Sequence, residues 1–459
     1  MRVAVIGLDC APPQLVFERW RKELPNLDRL MREGCWGKLL STNPPITVPA
    51  WACMMSSRDP GEQGIYGFRN RKDHSYDAYS LVTAASLRHD MAWDLIGRAG
   101  RQVIVLGVPP SYPPKAVNGV QVGCFLTPSI TSKYTHPPEI REEIAKVTGG
   151  YVVDVEGFRT DDKAALLGRI HDKTRKHFMV ARHLVTTRPW DFFMMVEMGV
   201  DRIQHAFWKF MEPSHPKHEP GNPFENAMLN YYREVDREVG ELIALMPADT
   251  AILVVSDHGA KSLEGGICFN EWLIKNGYLT LKSYPTTSTP IAKAEIDWSR
   301  TKAWGDGGYY GRLFMNVRGR EPQGIVDPSD YEKVRDEIAA GISEIADPKG
   351  ARIGSTAFRP EEIYRACHGV PPDLLVYFGD LRWRSIGSVG MGGIHTFEND
   401  TGPDDANHDW HGIFIMRAPG EAKTPRGELQ GLKIYDVAPT VLGLLGVAPP
   451  REMMGRIIA

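Results

Sequence analysis

Short, almost entirely apolar runs recur along the chain and end abruptly in polar residues. They cover residues 2–8, 103–108, 191–197 and 252–255. None of them shows the strict alternation of apolar and polar positions that a half-exposed strand has. Continuous apolar runs of this length are typical of strands that are buried on both faces of a parallel sheet. We therefore predict core strands at these four places.

Helical patterns separate the apolar runs. Residues 25–34 place Leu27, Leu30 and Met31 on one helical face and end in a glycine. Residues 231–245 form an amphipathic pattern that leads into the run at 252–255. Strands that alternate with helices predict an α/β fold, with a doubly wound, mostly parallel sheet flanked by helices.

A long segment, residues 261–400, interrupts this alternation. It is less regular than the rest and contains many glycines and prolines. We interpret residues 1–260 and 401–459 as the core, and 261–400 as an inserted, cap-like excursion that is partly core strand and partly cap. The core-strand pattern returns over residues 407–416, with a strand at 412–416, and is followed by a last helix at 435–446.

Carboxylates and imidazoles stand where the apolar runs end. Open α/β sheets bind their ligands at the carboxyl ends of strands, and residues four apart on a helix share one face. Three Asp and three His suit two divalent cations, Zn²⁺ most of all, with Mn²⁺ or Fe²⁺ also compatible. His411 is an alternative to His408, because both precede the predicted strand at 412–416. The candidate ligands are Asp9, Asp201, His205, Asp257, His258 and His408.

Thr47 is the candidate nucleophile. It lies in residues 41–51, where three prolines predict a rigid loop and not a regular element, with a helix beginning behind it at Ala52. A nearby metal ion lowers the pKa of a hydroxyl and allows it to attack as an alkoxide. The alternative interpretation is that Thr47 is an ordinary residue of a proline-rich turn.

Composition excludes several classes of protein. The formal net charge is −3 over 459 residues, so bulk charge does not predict binding to a nucleic-acid polymer. The six cysteines form no Cys-x-x-Cys pair, which favours free thiols in a reducing compartment. The first apolar run is too short for a signal peptide, and no stretch of about 18 apolar residues predicts a membrane span. We expect a soluble, cytoplasmic protein.

Taken together, the motifs resemble the alkaline phosphatase superfamily, in particular its type I phosphodiesterase/nucleotide pyrophosphatase family. They occur in the order of that family, from the first strand to the last helix. Bacterial members described as predicted phosphohydrolases or phosphomutases are the most similar. The matching segments are Gly7–Asp9, Pro25–Leu27, Ile46–Ala50, Asp201 with His205, Ser256–Gly259, His408 with Gly412–Phe414, and Tyr435–Thr440.

The resemblance implies an activity and a set of roles. The enzyme would be a metal-dependent phosphoric ester hydrolase acting on a small phosphorylated substrate, in which Thr47 forms a phospho-threonine intermediate. The backbone N–H of Val48 would contact the substrate. One metal ion would be held by Asp201, His205 and His408, and the other by Asp9, Thr47, Asp257 and His258.

One position departs from the family pattern. Nucleotide-cleaving members carry an Asn in a Gly-Ile-x-x-Asn motif, and Phe68 stands there in this chain. Arg69, Asn70 or Arg71 is then a candidate for the substrate contact that this Asn makes. A phosphomutase or a phosphomonoesterase on the same metal core is the alternative enzyme. A non-catalytic binding protein is the alternative from another class.

Overall fold

A computed structural model describes residues 1–420 and 424–458. Its centre is a ten-stranded mixed sheet, in which Leu432–Lys433 pairs with Cys35–Leu40 beside the main path. The order along that path is Gly427–Glu428, Cys35–Leu40, His411–Arg417, Thr250–Val255, Arg2–Leu8, Phe192–Glu197, Val103–Leu106, Gly119–Val122 and Thr135–His136.

The middle of the sheet is parallel. Arg2–Leu8 lies between Phe192–Glu197 and Thr250–Val255 and runs parallel to both. Val103–Leu106 continues the parallel arrangement beside Phe192–Glu197. Nearly every residue of these four strands is buried, which explains why their apolar runs do not alternate. The four predicted core strands are therefore confirmed.

Helices pack on both faces of the sheet. Alternate residues of the first strand enter two separate apolar clusters: Ile6 packs with Phe207 on one face, and Val5 packs with Trp51 on the other. The doubly wound, mostly parallel α/β fold is thus confirmed. Among the described residues, no helix combines the length and the apolarity needed to cross a lipid bilayer. The α-helices are Pro25–Glu33, Thr47–Ser56, Pro60–Gln63, Ala92–Arg98, Ile140–Thr148, Lys163–Thr187, Gly199–Met211, Ala227–Ala244, Phe269–Lys275, Tyr331–Ser343, Pro360–Ile363 and Val437–Leu444.

The helix that carries Thr47 corrects one prediction. Residues 41–46 form the expected loop, but the helix begins at Thr47 and not at Ala52. Pro49 lies in the first turn, where a missing N–H costs nothing because helix N–H groups there have no intrahelical partner. The backbone N–H of Ala50 already donates to the Ile46 carbonyl. Thr47 therefore has the fixed backbone of a helix start.

Residues between the core segments build small, mostly antiparallel sheets around an apolar cluster of their own. The largest of these sheets has four strands, Ala303–Asp306, Gly311–Met315, Leu374–Tyr377 and Thr356–Phe358. A further pair, Gly259–Ser262 with Ala406–Asp409, connects this region to the core and places His408 opposite Ala260. The strand predicted at 412–416 agrees with His411–Arg417, and a separate strand, Ala406–Asp409, comes before it and carries His408.

Candidate metal centre

Six candidate ligands converge at the carboxyl edge of the sheet. Asp9 follows Arg2–Leu8, while Asp257 and His258 follow the neighbouring strand Thr250–Val255. Asp201 and His205 lie one turn apart on the helix Gly199–Met211. His408 reaches the same place from Ala406–Asp409. All six side chains are buried, so they are removed from water as a group.

The first cluster contains Asp201, His205 and His408. His205 Nε2 lies 3.2 Å from Asp201 Oδ1 and 3.3 Å from His408 Nε2. Cys10 also belongs to this cluster, because its sulfur and the other three ligand atoms all lie within 4.8 Å of one another. Burial and the Asp201 carboxylate raise the pKa of the Cys10 thiol, which favours its neutral form in the metal-free protein.

The second cluster contains Asp9, Asp257 and His258, whose ligand atoms again lie within 4.8 Å of one another. His258 Nε2 is 3.1 Å from Asp257 Oδ2, and Thr47 Oγ1 is 3.3 Å from the same nitrogen. The two clusters adjoin, since the rings of His258 and His408 stack with their centroids 3.8 Å apart. The geometry therefore suits a pair of neighbouring ions.

Each histidine is oriented by a hydrogen bond on the far side of its ring. His205 Nδ1 lies 2.7 Å from Asp404 Oδ1, His408 Nδ1 lies 2.9 Å from the Pro45 carbonyl, and His258 Nδ1 lies 3.1 Å from the Gly259 carbonyl. A proton on each Nδ1 satisfies these acceptors and leaves each Nε2 lone pair facing the cluster.

The electrostatics of both clusters fit cations. Asp9 Oδ1 is buried with no hydrogen-bond partner among the described residues, and Asp257 Oδ2 is buried against His258 Nε2, 3.1 Å away. Burial and repulsion from Asp257 raise the pKa of Asp9. Although burial opposes it, attraction to Asp257 raises the pKa of His258 to about 9. Buried carboxylates crowded in this way are costly unless positive charge compensates them.

A cavity of about 370 Å³ opens onto the centre, with Thr47, Asp201 and His408 in its wall. Of the candidate substrate contacts, Arg69 lines the cavity. Asn70 instead uses its amide on its own turn, accepting from the Tyr66 N–H and donating to the Gly67 carbonyl. Five arginines line the cavity, namely Arg69, Arg159, Arg202, Arg312 and Arg384, and its aromatic walls are Phe68, Phe125, Phe158, Tyr309 and Tyr310.

The roles of Trp51 and Asp404 in the site were not found by sequence reasoning. Trp51 Nε1 donates to Asp9 Oδ2 over 2.6 Å, and Asp404 orients His205. The Tyr309 ring lies over His408, with centroids 4.1 Å apart. His411 is only half buried and pairs in the main sheet opposite Leu40, whereas His408 joins the first cluster. Asp404 lies shortly before the candidate ligand His408 in the sequence. A carboxylate so close to a ligand histidine was the one local signal that pointed to it.

Comparison with known proteins agrees with this architecture. The model of the family described as type I phosphodiesterase/nucleotide pyrophosphatase matches residues 3–412. The fold is that of the alkaline phosphatase superfamily. Within it, the chain belongs to the type I phosphodiesterase/nucleotide pyrophosphatase family. A search of curated proteins found no significant match.

Solved structures share the fold at low sequence identity. Human ectonucleotide pyrophosphatase/phosphodiesterase 5 has 13% identity and a TM-score of 0.56, with 98% of this chain and 96% of that chain covered. Its murine counterpart, solved as an inactive threonine-to-alanine variant in complex with AMP, has 14% identity and a TM-score of 0.57 over the same shares. Phosphonoacetate hydrolase from Sinorhizobium meliloti 1021, in complex with phosphonoformate, has 16% identity and a TM-score of 0.62, with 97% and 96% covered.

Family and fold together support a metal-dependent phosphoryl hydrolase. Members of the family are dinuclear metal enzymes, and this chain has two adjoining clusters of suitable ligands.

Proposed function

We propose that the protein is a two-metal phosphohydrolase of the phosphodiesterase/nucleotide pyrophosphatase type and that Thr47 is its nucleophile. The position of the Thr47 hydroxyl carries this proposal. Its Oγ1 lies 3.3 Å from His258 Nε2 in the second cluster. Thr47 also lines the cavity beside Asp201 and His408 of the first cluster. One hydroxyl therefore adjoins both clusters and the space for a substrate.

The proposed ligands of one ion are Asp201, His205 and His408, and those of the other are Asp9, Thr47, Asp257 and His258. Mixed carboxylate and imidazole ligands favour Zn²⁺ and also accept Mn²⁺. When bound, two such ions lower the pKa of a hydroxyl and neutralise negative charge on the group that is transferred.

The chain prepares Thr47 for attack. Thr47 is the first residue of its helix and is 3% exposed, so its side chain has little freedom left to lose. The N–H of Val48 belongs to the first turn, where helix geometry provides no internal acceptor. It is thus free to donate to a phosphoryl oxygen, in the favourable field of the helix N-terminus.

The proposed reaction has two displacements. The Thr47 oxygen forms a bond to phosphorus as the bond from phosphorus to the leaving-group oxygen breaks, and the hydroxyl proton of Thr47 ends on the departing oxygen. Water then attacks the phospho-threonine, which breaks the bond to Thr47 and restores the hydroxyl. The inactive threonine-to-alanine variant of the murine neighbour supports a threonine in this role.

The proposed substrate is a small molecule, which is a narrower class than the phosphoric esters that the family name covers. The cavity has the volume of a small-metabolite site, and two structural neighbours hold AMP and phosphonoformate. We infer a small phosphorylated substrate here too.

The six cysteines are free thiols, which supports a reducing, cytoplasmic location.

A phosphomutase or phosphomonoesterase is the second candidate. The observation that favours it is the contribution of the excursion to the cavity, since Tyr309, Arg312 and Arg384 all line it. Walls of this kind keep water away and would allow a phosphoryl group to return to another oxygen. A non-catalytic binding protein is less favoured, because all the proposed ligands and Thr47 are present.

The test compares bis(4-nitrophenyl) phosphate with 4-nitrophenyl phosphate on protein loaded with Zn²⁺ or Mn²⁺. Thr47→Ala should abolish turnover while the metal content is retained, and the exposed Thr186→Ala is the matched control. Acid quenching followed by peptide mass spectrometry should find phosphate on Thr47. Undiminished turnover by Thr47→Ala would exclude Thr47 as the nucleophile. Faster cleavage of the monoester than of the diester would favour a phosphomutase or phosphomonoesterase.

A further inference from the structure

We propose that the cavity selects substrates that carry a second anionic group, a carboxylate or a phosphate, besides the phosphoryl group that Thr47 attacks. The second group would be held by Arg69 and Arg159, with Arg384 behind them. This inference rests on the proposed function, because it assigns the phosphoryl end of the substrate to the metal centre.

Two of the five cavity arginines are neutralised within the protein. Arg202 Nη2 lies 2.6 Å from Asp154 Oδ2, and Arg202 Nε lies 3.0 Å from Asp154 Oδ1, so this pair is bidentate. Arg312 Nη2 lies 3.1 Å from Asp306 Oδ2. These two arginines and their two aspartates add no net charge to the cavity.

Among the residues that the structure describes, Arg159 and Arg384 share a single carboxylate, that of Asp404. Arg159 Nη2 lies 3.2 Å from Asp404 Oδ2, and Arg384 Nη1 lies 2.9 Å from the same oxygen. The Nε atoms of both arginines are buried with no hydrogen-bond partner in the described part of the chain. Two guanidinium groups against one carboxylate leave one positive charge at this wall.

Arg69 adds a second uncompensated charge. It lies on the rim of the cavity and is exposed. Within residues 1–420 and 424–458, its side chain forms no ion pair. The metal centre does not remove this excess of positive charge. Two divalent cations carry four positive charges, of which the carboxylates of Asp9, Asp201 and Asp257 neutralise three, so one more positive charge remains. A singly charged phosphodiester cannot balance this field, whereas a substrate with a second anion does so better.

The cavity also fits the carbon skeleton between two anions. Phe68, Phe125 and Phe158 line it and provide apolar contact. The guanidinium carbon of Arg159 lies 4.7 Å from the centre of the Phe158 ring, which holds that side chain in place. Guanidinium groups suit carboxylate and phosphate oxygens equally, so the shared feature is a second anion.

The experiment measures binding and needs no turnover. Isothermal titration of the metal-loaded protein would compare propylphosphonate with 3-phosphonopropionate and 3-phosphonopropyl phosphate. We expect each doubly anionic probe to bind about tenfold more tightly than propylphosphonate, as for hydrogen bonds to charged groups. The doubly anionic probe that binds more tightly shows whether the second anionic group is a carboxylate or a phosphate.

Variants assign the effect to the arginines. Arg69→Gln and Arg159→Gln should each lower this affinity ratio severalfold, and Arg69→Lys should recover part of it. Arg318→Gln, which removes an exposed arginine from the pair with Asp327, is the control and should keep the ratio. Equal affinity for all three probes, or no binding of any, would overturn the inference. Failure of the proposed function would show separately, as turnover that does not depend on Thr47.

Discussion

The imidazole of His205 and the carboxylate of Asp404 form a hydrogen bond of 2.7 Å between Nδ1 and Oδ1. The contact lies on the far side of the ring from the first cluster. Attraction to His205 and to the two cavity arginines overcomes the effect of burial and holds the pKa of Asp404 at about 2. Asp404 therefore stays ionised and fixes the orientation of His205, which makes it a positioning residue.

Replacing Asp404 should weaken metal binding. Asp404→Asn leaves His205 without a charged acceptor, and loss of such a partner typically lowers metal affinity by about 10–100-fold. Competition with a fluorescent chelator would measure the change for Zn²⁺ and Mn²⁺. Asp400→Asn, at a carboxylate that contacts Ser388, is the control. Unchanged affinity in a folded Asp404→Asn protein would contradict the role.

Metal binding should release protons. His258 has a pKa of about 9 in the metal-free protein, and attraction to Asp404 and Asp201 outweighs burial and raises the pKa of His205. Both rings therefore favour the doubly protonated, positively charged form, whereas an imidazole that binds a metal ion must be neutral. The second proton has to leave when the metal binds. Affinity should therefore rise as the pH increases from 7 to about 9. Calorimetry in Tris and in HEPES would count the protons, and equal apparent enthalpies in the two buffers would refute the prediction.

A second buried ion pair supports the helix that carries Asp201. Glu197 Oε1 accepts hydrogen bonds from Lys173 Nζ over 2.9 Å and from the Gly199 N–H over 2.8 Å. Lys173→Met would leave Glu197 charged without its partner, which costs about 3–5 kcal/mol. The free energy of unfolding in urea would measure this cost. Adding Glu197→Gln should recover part of the loss, and no recovery would argue against a coupled pair.

The same carboxylate predicts a pH dependence. Burial opposes ionisation, but Lys173 and His177 hold the pKa of Glu197 below its ordinary value of 4.5. Its stabilisation is therefore fully present above pH 4.5 and is lost as the pH falls below that value. The stability difference between wild type and Glu197→Gln should shrink from pH 7 towards pH 3. The exposed Glu219→Gln should change stability by less than about 0.5 kcal/mol throughout.

Gly7 leaves room for Trp51, the donor to Asp9. A Cβ atom at Gly7 would lie 2.5 Å from Trp51 Cη2 and 2.8 Å from Val196 Cγ2. Gly7→Ala should cost about 1–3 kcal/mol from overpacking and should weaken metal binding by displacing the indole. Gly168→Ala, where nothing lies within 4 Å of the new atom, should instead stabilise its helix by about 0.5–1 kcal/mol. Thermal unfolding of the two variants checks the opposite signs.

The strands of the core could be predicted because burial on both faces leaves a continuous apolar signature. Arg2–Leu8 and Phe192–Glu197 agree with the prediction to within a residue. The start of the Thr47 helix could not be predicted in this way. A proline close to a helix start leaves the same sequence pattern as one in a loop, and only the observed backbone distinguishes them.

The site was predictable where its ligands follow core strands or share a helix face, as Asp201 and His205 do. The pairing of Arg159 and Arg384 was not, because these two arginines meet at Asp404 only through the tertiary fold. No spacing along the chain indicates such a meeting. The local sequence does not distinguish an arginine on the surface from one in a cavity. The second anion could therefore be inferred only from the positions of the charged groups in the folded protein.

The two clusters draw on different lengths of the chain. Every residue of the second cluster, together with Thr47, lies before position 260, whereas the first cluster needs His408. A ribosome releases the N-terminal part first, so every ligand of the second cluster leaves the ribosome before His408 of the first. A polypeptide terminated near residue 400 would keep Asp201 and His205 but lose His408, together with the strand His411–Arg417 that pairs with Thr250–Val255. Such a shortened chain would lack both a ligand of the first cluster and a central strand of the sheet that holds the second.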